Sequence, residues 1–573
     1  MYSARLFVSL CRVKNYNIQM IMKRILLPLF MLLLPLMASA YETVNIDGLY
    51  YELMQFDGVN YATLKASPDK YSGSITVPEQ IWYEGEEYML MDVSYDAFIG
   101  CPELTSVYIA NKTLGIGVAY DPTYSPHIWF KDSPKLESIE VTEDNPYIDS
   151  RNHCNAVINS VTGKLIGGCK NTVIPEGVTS IDSYAFTGCD IASVVFPEGV
   201  EQIGSDAFRR CKQLKSVTLP STLKSINGGA FRDCEQLKSV YLSDIASWCN
   251  VTINEKTDYA SHSKASPFSY GAMLYLNGKL VEDLVIPEGV MSISDFAFLY
   301  CSNNFKSITI PSSLQTVGKG AFDYIRDADF QVRISDLAAW CSITFMETMT
   351  ISYGYISNPL ANAHLVLNGE EITDLVIPES VEVINDYAFC YTKHLNSVTI
   401  PDGVTRIGKG AFYFSGIQGT LKIPNSVTTI DDNAFNECHF TTIELGTGIK
   451  YLGNTCLDNY ILKDLYYYAS SLPETSEIPI KNWGTMKNGK WISNFSKATL
   501  HIMESLIEEA KVTAPWSLFG FFDPLPATGI KGVAADSPSY EIYSIDGRCQ
   551  SSMTKGINIV KYSDGTTQKV MMK

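Results

Sequence analysis

A mainly β chain wound into a solenoid of coils about 23 residues long is predicted by three observations. First, the dipeptide Ala-Phe recurs, ending at Phe98, Phe186, Phe208, Phe231, Phe298, Phe322, Phe389, Phe412 and Phe435, at a nearly constant step wherever the array is uninterrupted. Apolar residues at such a fixed period mark stacked coils, because no single coil can bury its own apolar face. Second, Pro175, Pro197, Pro220, Pro287, Pro311, Pro378, Pro401 and Pro424 each stand at one and the same distance before a repeat Phe. Third, Leu214 to Pro220 alternates apolar and polar residues and stops at a proline that has no N–H for a ladder, which predicts a strand ending there.

Assembled from its copies, the unit reads Ile-Pro-x-Gly/Ser-Val-x-x-Ile-Gly-x-x-Ala-Phe-x-x-Cys-x-x-Leu-x-Ser-Val-x, as Ile174 to Cys189 and Thr218 to Val240 show. The second extended piece, Val404 to Gly408, leads into Ala-Phe, where Ala permits close backbone approach and Phe fills the space between coils. Each buried Phe is worth about 1.5–3 kcal/mol by area. From about Ile75 to Leu457 this pattern resembles the BspA-type leucine-rich repeat proteins, secreted or surface proteins of Bacteroidetes. The resemblance implies a leucine-rich-repeat solenoid and adhesion to extracellular proteins or to other microbes.

The chain carries 44 basic and 62 acidic residues, a net charge of −18. An acidic surface without a basic stripe excludes nucleic acid as the expected partner, since that affinity comes mainly from phosphate neutralisation. Lys23 and Arg24 precede the apolar run Ile25 to Met37, and Ala38-Ser39-Ala40 supplies the small residues that a signal peptidase reads. A secretory signal over 1–40, cleaved before Tyr41, is the expectation. Its apolar run is too short for a membrane span, so the mature chain is expected to have none. The residues before Met20 or Met22 add nothing to that signal, which places the expected start at one of those methionines. No cysteine follows the cleavage site, against a lipid anchor there.

Asp47-Gly48 and Asp57-Gly58, flanked by Tyr-rich alternating segments, predict hairpins in a β-rich N-terminal cap over 41–72. The solenoid follows over 73–460, with inserted segments. An aromatic-rich stretch, Leu114 to Trp129, reads as one insertion, after which Phe130, Leu136, Ile139 and Val141 restore the repeat spacing. The steps from Phe231 to Phe298 and from Phe322 to Phe389 are equal, and each is close to three coil lengths. Ser243 to Cys249 matches Ser335 to Cys341, and Leu276-Asn277-Gly278 matches Leu367-Asn368-Gly369, so a larger module, several coils long, is itself duplicated. Ser-Asp before an apolar run predicts a capped short helix, and Asn-Gly a tight hairpin. The Ser- and Tyr-rich pieces Glu255 to Tyr270 and Glu347 to Pro359 are expected to project as loops.

Residues 461–525 read as a terminal cap, with a helical run over Glu504 to Val512. Residues 526–573 read as a small antiparallel β domain, with strands at Tyr540 to Tyr543, Gly556 to Val560 and Gln568 to Lys573 and a turn at Asp546-Gly547. This segment resembles the C-terminal sorting domain of type IX secretion cargo, with Asn558 standing where an aromatic or apolar residue is common. That resemblance implies engagement of secretion machinery. A structural or docking sheet is the plain alternative.

Cys101, Cys189, Cys211, Cys234, Cys301 and Cys438 each follow the repeat Phe at the same offset, so they form one column of small buried apolar groups, not a disulfide framework. With no Cys-x-x-Cys or paired His, no metal is expected. The seven histidines are scattered, and Gly115-Ile116-Gly117 lacks the third glycine of a dinucleotide loop, with Tyr120 in its place. Gly-Lys-Gly at Gly318 to Gly320 and at Gly408 to Gly410 belongs to the repeat turn, and Asp431-Asp432 is too short for a calcium loop. No cofactor and no catalytic residue is expected, and the chain reads as a non-enzyme.

The function these readings support is that of a secreted or outer-surface binding protein engaging an extracellular protein or glycan. Ligand-binding candidates are the aromatic residues of the irregular segments, Tyr120, Tyr124, Trp129, Tyr270, Tyr353 and Tyr355, because large side chains supply most interface energy. Two alternatives stay open: a surface glycan-capture protein working beside polysaccharide-degrading enzymes, and an enzyme or inhibitor with a site in an inserted segment.

Overall fold

Each regular coil lays down two short strands that pair in parallel with their counterparts one coil away, as seen in a computed structural model of the chain. The structure describes residues 42–114, 129–254, 265–301, 305–323, 329–346, 357–476, 484–487, 490–493, 495–525, 540–544, 549–550, 556–562 and 567–572. The signal segment, the turn at Asp546-Gly547, and Tyr120, Tyr124, Tyr353 and Tyr355 lie outside these. The chain divides into two compact units, residues 1–373 with 385–394, and residues 374–384 with 395–573.

In the first unit, the longer strands Ser193–Val195, Ser216–Leu219, Ser239–Leu242 and Met273–Leu276 form one parallel ladder. Each of the first two ends next to its repeat proline region, at Phe196-Pro197 and at Pro220, as the missing N–H requires. A second ladder joins the two-residue strands Ser180–Ile181, Gln202–Ile203, Ser225–Ile226 and Thr252–Ile253. The longer strands turn Val194, Val217, Val240 and Leu274 inward, and the shorter ones Ile181, Ile203, Ile226 and Ile253, all buried.

Between the ladders lies the Phe column. Rings of Phe186, Phe208 and Phe231 stack at 4.8 and 5.5 Å between centroids, within 9° of parallel. Phe298 and Phe322 repeat the arrangement at 5.4 Å, and in the second unit Phe412 and Phe435 do so at 5.0 Å. The backbone is stitched at the same place. Phe186 N–H donates to Ala207 O and Phe208 N–H to Ala230 O, both at 2.8 Å. The thiols complete the stitch: Cys211 donates to Phe186 O and Cys234 to Phe208 O at 3.0 Å, and in the second unit Cys438 donates to Phe412 O at 3.1 Å. Cys101, Cys189, Cys211, Cys234, Cys301 and Cys438 are all free and buried.

The glycine of the Ile-Gly step has a packing cause. A Cβ at Gly204 would stand 2.5 Å from Ser183 N, and one at Gly453 2.3 Å from Asp432 N, each in the preceding coil. In the Gly-Lys-Gly turns, Gly320 and Gly410 hold left-handed φ of 60° and 57°, which a residue without Cβ adopts freely.

The duplicated helices form at Ile245–Cys249 and Leu337–Cys341, with Asp244 and Asp336 accepting backbone N–H bonds as N-caps. Their tryptophans are buried, and the indole N–H of Trp248 donates to Ala297 O and that of Trp340 to Ala388 O, both at 3.0 Å. The Asn-Gly hairpins also form: Asn277 and Gly278 have φ of 50° and 77°, and Asn368 and Gly369 52° and 92°. Each hairpin closes one ladder of longer strands.

Three features differ from the sequence reading. The N-terminal sheet is built from Glu42–Ile46, Leu49–Phe56, Val59–Leu64, Gln80–Tyr83 and Glu86–Val93, so it draws strands from beyond residue 72. Meanwhile Gly73–Val77 leaves it to pair with Leu104–Ile109 and, through that strand, Ser138–Val141, the first coils. The described part of the loop ending at Tyr270 does not project: Phe268 is fully buried, edge-on to Trp248. After the second loop, Asn358 is likewise buried and donates to Tyr387 O and Ala388 O. Finally, residues 461–525 continue the ladder, because Asp464–Tyr467, Thr499–Met503 and Phe521–Leu525 add in parallel to Gln418–Ile423 and His439–Leu445. Phe495 and Phe519, stacked at 4.8 Å, stand in for the missing Ala-Phe signature there. The helical run condenses to a 3-10 turn at Glu504–Leu506 and a helix at Ile507–Ala510. The last segment forms an antiparallel sheet of Tyr540–Ser544, Cys549–Gln550, Gly556–Tyr562 and Thr567–Met572.

Candidate functional site

Alternation along the longer strands sends every second side chain outward, away from the Phe column. In the first unit two ladders present such rows. One row reads Ser193, Ser216, Ser239, Met273, and the row beside it Val195, Thr218, Tyr241, Tyr275. Tyr241 and Tyr275 stack at 4.8 Å, Met273 is 40% exposed, and Leu280 of the closing hairpin pairs with Tyr275. The result is an aromatic and apolar patch on a face whose other outward residues are Ser193, Ser216, Ser239, Thr218 and Val195. In the duplicated module the same rows read Asp283, Ser307, Gln331, His364 and Val285, Thr309, Arg333, Val366. Arg333 lies 3.5 Å from Asp283 and donates to Gln331. Inward positions stay apolar in both modules, while the Tyr-Tyr pair is replaced by exposed Arg333 and by Val366, which is buried.

His364 also meets His394, ring on ring at 3.7 Å, with its Nδ1 2.5 Å from a Glu371 carboxylate oxygen. Burial, and then the neighbouring His364 ring, hold the His394 imidazole below its ordinary range.

In the second unit the outward rows are Thr420, Thr442, Asp464, Thr499, Phe521 and Lys422, Glu444, Tyr466, His501, Asp523. His501 is held between two carboxylates, with Nδ1 2.7 Å from Asp523 Oδ2 and Nε2 2.9 Å from Asp464 Oδ1. A neutral imidazole offers one N–H and donates to one of them; the cationic ring donates to both. Tyr466 lies flat on His501 at 4.2 Å and 6°, and Tyr468 is near-parallel to Tyr466 at 6.3 Å. Burial and the negative charge of Asp464, Asp523 and Glu444 push the Tyr466 phenol up, and burial, Glu444 and Tyr466 push up that of Tyr468.

The sequence candidates fall elsewhere. Trp129 is 3% exposed and packs edge-on to Phe130, so its indole serves the core and presents no ring to a ligand. Tyr270 is half-buried, and its hydroxyl accepts the Asp233 N–H at 2.7 Å while its carbonyl accepts Lys238 Nζ. The structure does not bring the candidates Trp129 and Tyr270 together, and Tyr120, Tyr124, Tyr353 and Tyr355 lie outside the described residues. Tyr241, Tyr275, Tyr466 and His501 carried a usable signal, their polar-face position in alternating strands. Among the described residues no group of His, Cys, Asp or Glu is arranged to hold a metal ion, and no helix is long and apolar enough to cross a membrane.

Parallel coils with an inward Phe and Cys column and an outward strand face define a leucine-rich-repeat solenoid protein. The chain matches the BspA type Leucine rich repeat region in six copies, over residues 166–256, 272–357 and 365–476, just over half of its length. It belongs to that family. Among solved structures, it is similar to a leucine-rich repeat protein from Bacteroides ovatus, at 20% identity over 76% of this chain and 99% of that one, with a TM-score of 0.41. A leucine rich cell surface protein from Faecalibacterium prausnitzii is 17% identical over 75% and 95%, with a TM-score of 0.28. The pneumococcal vaccine antigen PcpA is 11% identical over 85% and 100%, also at 0.28. No curated protein matches the chain in sequence.

Proposed function

We propose that this is an exported, non-enzymatic binding protein that engages an extracellular protein or glycan through its outward strand faces. Export through the 1–40 signal and engagement of secretion machinery by residues 526–573 belong to the same reading. The observation that carries it is the Tyr241–Tyr275 pair with Met273, apolar side chains placed outward where the core does not use them, in one module and not in its duplicate. Aromatic groups in such places dominate interface energy. Membership of the BspA-type repeat family supports a location outside the cell or on its surface. Tyr120, Tyr124, Tyr353 and Tyr355 stay ligand-binding candidates in the same reading.

Glycan capture is the second reading, favoured by the tyrosine pair, whose ring faces and hydroxyls suit a sugar's apolar and polar sides. Protein and glycan arrays probed with the purified protein test both. Tyr241→Ala with Tyr275→Ala should lower the signal for the true ligand by about tenfold or more, the loss of a hot spot. Turnover of a polysaccharide or peptide that survives this double substitution would overturn the binding reading.

A further inference from the structure

We propose that the outward sheet face of the second unit docks a cationic polypeptide segment, a run of arginine or lysine side chains exposed on a partner protein. The proposal rests on the binding reading above and names the partner chemistry for this one face. Along the two outward rows stand three carboxylates, on Asp464, Glu444 and Asp523. The single Lys of these rows, Lys422, is 3.9 Å from Glu444, and the His501 ring lies between the other two carboxylates.

Aromatic surface accompanies this charge. Phe521 is 61% exposed in the row of Asp464, half-buried Tyr466 lies on the strand beside His501, and half-buried Tyr468, just past the end of that strand, is near-parallel to Tyr466. A guanidinium is recognised by this pairing, a carboxylate for its N–H fork and a ring face for its plane, and an ammonium by the same groups less geometrically. Burial first, and after it Asp464, Asp523 and Glu444 for Tyr466 and Glu444 for Tyr468, push both phenols up, so the carboxylate charge is felt on this face. His501 stands between Asp464 and Asp523, one ring nitrogen near each, which keeps the two carboxylates apart on the strands either side of its own. A second copy of this chain is a poor occupant, as its net charge of −18 opposes approach. Nucleic acid and anionic glycans are opposed for the same reason.

The test uses the purified full chain and labelled twelve-residue peptides of alternating Gly with Arg, Lys, Gln or Glu, read by fluorescence anisotropy. The Arg peptide should bind, the Lys peptide more weakly, and the Gln and Glu peptides at least about tenfold more weakly still. Raising salt from about 50 to about 300 mM should weaken the Arg peptide several-fold. Phe521→Ala, an exposed truncation that leaves the core untouched, and Asp523→Asn should each reduce Arg-peptide binding, while Tyr241→Ala should not. Equal binding of the Gln peptide, or Arg-peptide binding unchanged in both variants, overturns the proposal. If array ligands are captured through Tyr241 and Tyr275 while the Arg peptide is ignored, this inference fails and the general binding reading stands. If the Arg peptide binds through Phe521 while the Tyr241 and Tyr275 patch captures nothing on the arrays, this inference stands and the role of the first unit's face fails.

Discussion

The thiol of Cys211 donates to the carbonyl oxygen of Phe186, one coil earlier, at 3.0 Å. The same carbonyl already accepts the N–H of Cys189, so the thiol supplies its second partner. Cys211→Ala removes that bond and a buried sulfur together, and should destabilise the fold by about 1–2 kcal/mol. Urea unfolding followed by circular dichroism measures it, and an unchanged midpoint would show that the bond is idle.

The cysteine column should also be chemically silent. Burial pushes the Cys438 thiol up to about 12 and holds Cys301 well above its ordinary value. Thiolate is the reactive form, so an aromatic disulfide reagent in mildly alkaline buffer should leave the described cysteines unmodified until denaturant is added. Rapid labelling of the native protein at any repeat cysteine would contradict the packing.

Phe412 is fully buried and stacks on Phe435 within 2° of parallel. Truncation to Ala leaves a cavity between two rigid coils that cannot close on it, and should cost about 3–5 kcal/mol. A loss below about 1 kcal/mol would place the ring outside the core.

Trp248 joins its irregular coil to the next regular one through its indole N–H bond to Ala297. Trp248→Phe keeps much of the apolar volume but leaves that bond unmade, at a cost of about 1–3 kcal/mol. Thermal unfolding compares it with Trp340→Phe, which should cost less because Asn358 still donates to Ala388 O after the indole is lost.

The His364–His394 stack sets a pH dependence. The folded state holds His394 below the ordinary 6.5, chiefly by burial and then by the His364 ring, while Glu371 and Asp329 act against this. The unfolded chain therefore takes up a proton that the fold resists. Stability is complete above the unfolded value, falls as pH drops through it toward the folded value, and levels off below. His394→Gln should flatten that portion of a stability–pH curve, and an unaltered slope would rule the stack out as its source.

The coil period, the Phe and Cys columns, the capped helices and the Asn-Gly hairpins were legible because each depends on neighbours at a fixed sequence offset. What escaped depends on pairing across the ladder. Residues 461–525 carry no Ala-Phe, so their strands showed only once Asp464, Thr499 and Phe521 came into register. Tyr241 with Tyr275 and Asp464 with His501 are likewise neighbours across strands, separated by inserted segments whose length obscures the register. Trp129 was misplaced for the opposite reason: an aromatic beside an insertion looks available, yet Phe130 needed a partner to cover its ring edge.

Trp248 and Trp340 each reach forward to the Ala of an Ala-Phe in the coil that follows, 49 and 48 residues on. A duplicated module thus carries, within its own length, the fastening by which it seats against whatever regular coil comes next. Copying it whole lengthens the array without inventing a new joint, and the outward residues are then free to diverge while the fastening is kept. Tyr241 in one copy and Arg333 in the other, at matching places on the outward face, are what that freedom looks like.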